Sequence, residues 1–254
     1  MNEAGKVICK LELGIGTISF YHPHSNSLPG DLLRKLAEEI SNFGNNPAVK
    51  VIVLRSEGEQ TFCAGASFDE LISLKDFETG KEFFSGFAHV INAIRTAPKF
   101  IIARVQGKAV GGGVGVACAA DYTIAMDTAA VKLSELAVGI GPFVVGPAVE
   151  RKIGKAAFTS LAINATTWRD ANWAKNVGMY ADVHATIANL DEAVNSLAQK
   201  LAASNPDAMA ELKKVAWKGT ENWDTLLIER AGISGQLVLS EFTINAIQQF
   251  KKKS

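Results

Sequence analysis

VQGKAVGGGVGVACAAD, residues 105–121, is the stretch of this sequence that decides the fold. Glycine occupies positions 107, 111, 112, 113 and 115. Such dense glycine costs backbone entropy and is used where the main chain turns sharply or approaches another group closely. The apolar run KFIIARV (99–105) before it predicts a buried strand, and the small residues after it predict a tightly packed helix. The stretch is therefore predicted to turn from a strand into a helix.

This turn does not carry a nucleotide-binding signature. The sixth position counted from Gly111 is Val116, so the G-x-G-x-x-G pattern fails, and no Gly-x4-Gly-Lys-Ser/Thr loop occurs in the sequence. Two interpretations remain. The glycines allow close helix packing, or they expose the N–H groups of a helix N-terminus to a substrate oxygen.

A second segment favours the catalytic interpretation. TFCAGASFDEL (61–71) follows another buried strand, VKVIVLRS (49–56), and also leads through small residues into a predicted helix. Two turns of this kind can each offer a backbone N–H to the same oxygen. That arrangement is an oxyanion hole, which stabilises an enolate.

The remaining pattern predicts an α/β fold with parallel strand pairing. After residue 144 the chain is mainly helical, with a short strand at YADVH, and from Leu190 to Phe250 it reads as helices alone, broken near Asn205-Pro206 and Gly219. We expect an α/β core over 1–190 and a helical region over 191–254. Further predicted elements are strands at 14–21, 121–127 and 129–135, a helix from Asp31 to Phe43 ended by Gly44, and a helix from Glu78 to Arg95 that stops before Pro98.

Composition excludes several function classes. The 254 residues hold 26 Lys plus Arg and 26 Asp plus Glu, whereas a nucleic-acid or membrane-surface protein usually has a basic excess. The three cysteines form neither a disulfide framework nor a metal-ligand cluster, so no metal is expected. No signal-peptide core and no apolar run of roughly 18 residues occurs. We expect a soluble, cytoplasmic protein.

Three segments, taken in order and at their separations, resemble the crotonase (enoyl-CoA hydratase/isomerase) superfamily. They are FCAGASFDEL, VQGKAVGGGVGVACAADYTIA and KLSELAVGIGPF, and HPHSNSLPGDLL (22–33) resembles the family's early Arg-Pro…Asn-Ala-Leu segment in a form one residue shorter. The resemblance spans nearly the whole chain. It implies a spiral of ββα units followed by C-terminal helices that assemble the protein into homotrimers or homohexamers.

The resemblance also implies a substrate and a binding site. The substrate would be an acyl-CoA thioester, with coenzyme A part of the substrate and no separate cofactor. The backbone N–H groups of Ala66 and Gly112 would form the oxyanion hole, and His22 would contact the phosphates of coenzyme A. Phe242, Phe250 and Lys251 are further candidates for coenzyme A contact. The other implied substrate-binding residues are Ala64, Gly65, Gly111, Gly139, Pro142 and Phe143.

One catalytic carboxylate is present and one is missing. The hydratases of the family use two glutamates, and the corresponding positions here are Gly115 and Glu135. Adding water needs a nucleophile oriented and a proton delivered, whereas moving a double bond needs a single base. Several isomerases of the family keep only the glutamate equivalent to Glu135. We therefore favour isomerisation, with Glu135 as the proton shuttle in an apolar pocket beside Phe143 that raises its pKa.

Other interpretations stay open. The protein could be a hydratase or dehydratase, for example of a branched enoyl-CoA such as methylglutaconyl-CoA, with the missing carboxylate replaced by another group. The same oxyanion hole could serve decarboxylation of a malonyl-type thioester, or the chain could bind acyl-CoA without catalysis. Ser67 is expected to cap the helix that follows it, and Cys63 is expected to be a buried hydrophobe rather than a nucleophile.

Overall fold

The computed structural model describes the backbone of residues 5–251 and the side chains of residues 5–249. The strands of this part of the chain are β1 Lys6–Glu12, β2 Ile15–Tyr21, β3 Val51–Ser56, β4 Thr61–Cys63, β5 Ile101–Val105, β6 Lys108–Val110, β7 Tyr122–Met126, β8 Ala130–Lys132, β9 Arg169–Asp170 and β10 Asp182–His184. The α-helices are α1 Gly30–Asn45, α2 Phe68–Ser73, α3 Phe77–Thr96, α4 Gly112–Ala119, α5 Gly146–Ile163, α6 Ala171–Asn176, α7 Ile187–Ala202, α8 Pro206–Ala216, α9 Trp223–Leu237 and α10 Glu241–Lys251. A 3-10 turn spans Glu135–Val138.

A repeated strand–strand–helix unit builds two sheets. The large sheet has the order β1-β2-β3-β5-β7-β10 and is parallel except for the β1–β2 pair. The small sheet has the order β4-β6-β8-β9 and is parallel except for the β8–β9 pair. The chain passes from the large sheet to the small sheet and then into a helix in β3-β4-α2, β5-β6-α4 and β7-β8-α5. This confirms the predicted α/β spiral of ββα units.

The continuous apolar runs become strands buried on both faces. Every residue of β5 is buried, and β3 is buried except for the half-buried Arg55. On this sheet packs α7, which runs across the predicted boundary between residues 190 and 191 and contacts β3, β5 and β7. Its Asp191 forms an ion pair with Arg104 of β5. The two glycine turns do not follow β3 and β5 directly: they leave from β4 and β6, which come next along the chain and pair in parallel in the small sheet.

Some local expectations differ from the structure. The first strand, β1, was not expected, because its residues are only exposed or half-buried and leave a weak apolar pattern. Gly44 does not end α1, which continues to Asn45; a Cβ at Gly44 would lie 3.4 Å from Cβ of Ala97. The strand expected over 129–135 stops at Lys132. In the mainly helical part after residue 144, the segment 168–178 forms a helix only after Asp170, whose side chain accepts a hydrogen bond from the N–H of Trp173.

The C-terminal helices return to the core beside the glycine turns. The breaks expected near Asn205 and Gly219 separate α7, α8 and α9. α9 packs closely on α3, since a Cβ at Gly235 would lie 2.6 Å from the backbone nitrogen of Lys81. α10 contacts α2 and the 3-10 turn. Among the described residues, no helix is both long and apolar enough to cross a membrane.

Candidate active site

The two glycine turns meet at one cavity of about 70 Å³. Apolar side chains form most of its remaining wall: Phe84 and Phe87 from α3, and Val144 and Val145 from the segment before α5. The expected site residues that line this cavity are Ala64, Gly65, Ala66, Gly111, Gly112, Glu135, Pro142 and Phe143, whereas Gly139, His22 and Phe242 do not line it. The fold therefore brings together segments that are far apart in sequence.

The turns touch through their main chains. Gly65 has a φ of 84°, and a Cβ there would lie 2.7 Å from the Val110 carbonyl oxygen and 3.3 Å from the Gly112 nitrogen. Gly112 is the first residue of α4, so its N–H has no acceptor within the helix. Within residues 5–251 no turn or loop hydrogen bond uses the N–H of Ala66. Both groups can thus donate to one oxygen placed in the cavity.

Two of the glycines are required for this geometry. Gly111 has φ 52° and ψ −116°, a conformation that residues with a Cβ rarely adopt. A Cβ on Gly111 would also stand 3.0 Å from Oε1 of Glu135. At Gly112 a Cβ would collide with the ring of Phe87. Because Gly111 and Gly112 have no side chains, a carboxyl group and an aromatic ring can approach the start of α4.

Glu135 supplies the carboxyl group, at the start of the 3-10 turn. The residue as a whole is half-buried, but its Oε2 is buried and has no hydrogen-bond partner among residues 5–251. Burial raises the pKa of Glu135 to about 7. Of the described residues lining the cavity, none but Glu135 has an ionisable side chain. A carboxyl that gains and loses protons near neutral pH can act as a general acid and base.

Gly139 was expected to bind the substrate, but it does not line the cavity. It ends the 3-10 turn in the left-handed conformation, with φ 82°. A Cβ there would lie 2.5 Å from Cδ1 of Phe242 and 2.6 Å from Oγ1 of Thr243, both on α10. The glycine thus lets α10 pack on the turn that carries Glu135. The side chains of Phe250 and Lys251 lie outside the described part of the chain.

The position of the missing glutamate is filled. A Cβ at Gly115 would lie 2.5 Å from both Cβ and Cγ1 of Val145, which itself lines the cavity. The sequence shows the absence of a carboxylate at position 115 but not its replacement, because Val145 is 30 residues away and belongs to no motif. The cavity has an apolar side chain where a second carboxylate would enter.

The other expected residues contribute to the structure around the site rather than to the cavity lining. Ser67 is the N-cap of α2, and its hydroxyl accepts a hydrogen bond from the N–H of Glu70 over 3.4 Å. Cys63 is fully buried, which raises its thiol pKa to about 12, so the thiol is inert. His22 is half-buried, lies away from the cavity and is 2.9 Å from the hydroxyl of Ser27. Its contact with coenzyme A stays a prediction.

Sequence patterns do not identify the residues that the helices contribute to the cavity wall. Phe84 and Phe87 lie on a helix that was expected, but helical periodicity does not separate a residue facing a ligand from one facing the core. Ser234 also lines the cavity, from α9. It is distant in sequence from every motif and carried no local signal.

Comparison with known proteins finds relatives that share this fold and that act on enoyl-CoA thioesters. The sequence model of the enoyl-CoA hydratase/isomerase family matches residues 10–238. The mitochondrial methylglutaconyl-CoA hydratase of Rattus norvegicus is 30% identical over 233 residues, covering 90% of this chain and 73% of that protein. A protein of Rhizobium meliloti (strain 1021) described as a probable enoyl-CoA hydratase is 35% identical over 200 residues, covering 77% and 75%.

The fold is also that of a solved structure. The crystal structure of enoyl-CoA hydratase from Bacillus halodurans superimposes with a TM-score of 0.88 at 22% identity, covering 96% of this chain and 99% of that one. The match therefore extends over both sheets and the C-terminal helices. Since the family model and two curated relatives align with most of the sequence, the chain belongs to the enoyl-CoA hydratase/isomerase family, the crotonase superfamily.

Proposed function

We propose that this enzyme moves the double bond of an enoyl-CoA from the 3 to the 2 position, with Glu135 as the proton shuttle. The observation that carries the proposal is that, among the described residues, Glu135 is the one ionisable side chain lining a mostly apolar cavity. It lies against the turn that begins α4, where the oxyanion-hole N–H of Gly112 is found. Its raised pKa suits a group that must take and return a proton.

The reaction follows from this geometry. The thioester oxygen accepts hydrogen bonds from the N–H groups of Ala66 and Gly112. Ionised Glu135 removes a proton from C2, and the negative charge passes to the thioester oxygen as a dienolate forms. The neutral Glu135 then delivers the proton to C4, so one C–H bond breaks, one forms and the double bond moves. Each donor of an oxyanion hole typically contributes about 100- to 1000-fold in rate.

Hydration is the second candidate, and the names of the relatives favour it. In the family hydratases a second glutamate shares the work of orienting water and moving its proton. Here Val145 fills the space beside Gly115 that this side chain would need. A hydratase with this cavity would have to place both water and proton with Glu135 alone, which is why isomerisation is the better proposal.

Proton NMR in deuterated water tests the choice. We expect 3-enoyl-CoA to become 2-enoyl-CoA with deuterium entering at C2 and C4, and we expect Glu135→Gln to abolish both changes. A 3-hydroxyacyl product would show hydration instead. Turnover unchanged in Glu135→Gln would remove Glu135 from the mechanism, and neither isomerisation nor exchange on any substrate would leave a non-catalytic acyl-CoA-binding protein.

Assembly stays a prediction of the family resemblance. A homotrimer or homohexamer would use the helical region 191–254, and exposed apolar side chains in the C-terminal half fit such a contact: Ile163 is 69% exposed and Val215 is 70% exposed. Light scattering at several concentrations would give the mass. The cytoplasmic location and the absence of a separate cofactor also stay predictions.

A further inference from the structure

One wall of the cavity is formed by two helices that pack on each other through glycine. α3 contributes Phe84 and Phe87 to the wall, and α9 contributes Ser234. The helices approach so closely that a Cβ on Gly80 would lie 2.9 Å from the Gly235 carbonyl oxygen. Widening the cavity would mean separating this packed pair. This part of the wall is therefore a packed helix pair rather than a loop that can move aside.

The cavity is small for an acyl chain. Its volume is about 70 Å³, roughly half of the 150 Å³ cavity that holds benzene in an engineered protein. Phe84, which is 8% exposed, stands in the wall and would meet a longer chain.

The cavity also offers nothing to balance a charge at the far end of an acyl chain. None of its described lining residues is a lysine, arginine or histidine. The hydroxyl of Ser234 is neutral, and no hydrogen bond engages it among residues 5–251. Arg230 lies outside the lining, and its Nη1 donates to the Phe143 carbonyl over 3.5 Å. Burying a carboxylate without a partner is costly, so a dicarboxylic acyl group is disfavoured.

We infer that the cavity selects short, uncharged acyl groups and that Phe84 sets the length limit. The inference rests on the acyl-CoA site of the proposed function but not on which reaction occurs there. It also separates this protein from the methylglutaconyl-CoA hydratase that it resembles, because a methylglutaconyl group ends in a carboxylate.

Binding of saturated acyl-CoAs, which cannot react, tests the inference by calorimetry. Valeryl-CoA and glutaryl-CoA have equally long acyl chains and differ in the terminal carboxylate, and octanoyl-CoA is longer and uncharged. We expect valeryl-CoA to bind about tenfold or more tightly than either of the others. Octanoyl-CoA binding as tightly as valeryl-CoA would overturn the length limit. Equal binding of glutaryl-CoA would overturn the charge selection.

Two neighbouring phenylalanines provide the matched variants. Phe84→Ala should improve octanoyl-CoA binding about tenfold relative to valeryl-CoA. Phe83→Ala removes an equally large ring that packs edge-on against Phe84, with ring centroids 5.3 Å apart, but Phe83 lines a separate cleft and not the cavity, so the ratio should change much less. An equal change in both variants would show that Phe84 does not set the limit.

The two proposals fail in different ways. A protein that binds valeryl-CoA selectively but moves no double bond would contradict the proposed reaction alone. A protein that isomerises short and long enoyl-CoAs equally well, and binds octanoyl-CoA as tightly as valeryl-CoA, would contradict the cavity selection alone.

Discussion

In the proposed reaction Glu135 must be ionised, but its buried position disfavours the ionised form. Only the ionised carboxylate can remove a proton from C2, and burial raises its pKa to about 7. We therefore expect kcat/KM for a 3-enoyl-CoA to rise with pH, to reach half its maximum near pH 7 and to be flat above it. Stopped assays between about pH 5 and 9 measure this profile. A plateau that already begins below pH 5 would contradict the buried placement of this carboxyl.

Gly115 is a single residue whose change has a clear structural cost. Any side chain there meets Cβ and Cγ1 of Val145 at 2.5 Å, so restoring the glutamate by Gly115→Glu should destabilise the protein by about 2 kcal/mol or more. Truncation of Val145 to alanine would leave the colliding Cβ in place. Val145→Gly removes it, and we expect that change to recover stability in the Gly115→Glu background.

Urea denaturation checks this pair of variants, and product analysis adds a functional measurement. We expect 3-hydroxyacyl-CoA from the double variant alone, since only there can a second carboxylate enter the cavity beside Glu135. Gly115→Glu with the stability of the unchanged protein would show that Val145 moves aside freely.

The packing of α10 on the 3-10 turn couples a C-terminal helix to the active site. Gly139 and Gly219 both have positive φ, 82° and 88°, but only Gly139 faces other side chains; a Cβ at Gly219 would meet nothing within 4 Å. We expect Gly219→Ala to cost about 1 kcal/mol for backbone strain. Gly139→Ala should cost at least about twice as much and lower turnover, because it pushes Phe242 and Thr243 away.

Thermal unfolding and kcat measured on the same preparations separate the two effects. Equal losses of stability in both variants, with kcat unchanged in both, would show that α10 does not hold the Glu135 turn.

The helices and strands differ in how far the sequence predicts them. β3 and β5 were predictable because they are continuous apolar runs, which is the pattern of strands buried on both faces. β1 has no such pattern, and its place depends on pairing with β2 rather than on burial. The close approach of α9 to α3 depends on Gly80 and Gly235. These two glycines meet only in the folded chain, and no local sequence pattern predicts their contact.

One buried ion pair joins the helical region to the α/β core. Lys213 of α8 lies 2.9 Å from the carboxylate of Asp121, at the end of α4, and also donates to the carbonyls of Ile94 and Lys99. Asp121 accepts a further hydrogen bond from Nε1 of Trp217. Removing one partner leaves a buried charge, so we expect Lys213→Ala to cost about 3 to 5 kcal/mol.

The neighbouring lysine is the matched control. Lys214 pairs with Glu211 on the exposed face of the same helix, and both side chains are 70% exposed. Lys214→Ala should change stability by less than about 0.5 kcal/mol. Urea denaturation of both variants makes the comparison, and a similarly small loss in Lys213→Ala would show that the buried pair does not hold the two regions together.

Across the molecule, the sequence predicts the chemistry of the site better than its shape. The backbone donors and Glu135 belong to short motifs, so they could be assigned before the fold was known. The inner wall could not, because Phe84, Val145 and Ser234 come from three distant elements that meet only in the folded chain. The chain-length selectivity that we infer would depend on that wall and would therefore be a property of tertiary structure.

The contact between Gly115 and Val145 also restricts how such an enzyme can change over evolutionary time. If a lineage with this packing gains the glutamate at position 115 before it loses Val145, the two side chains must occupy the same space in the intermediate protein. A lineage that first replaces Val145 with glycine passes through a folded protein with a small void, which the new side chain then occupies. The order of the two substitutions therefore matters, and the present packing makes the loss of the Val145 side chain the step that must come before a glutamate at position 115.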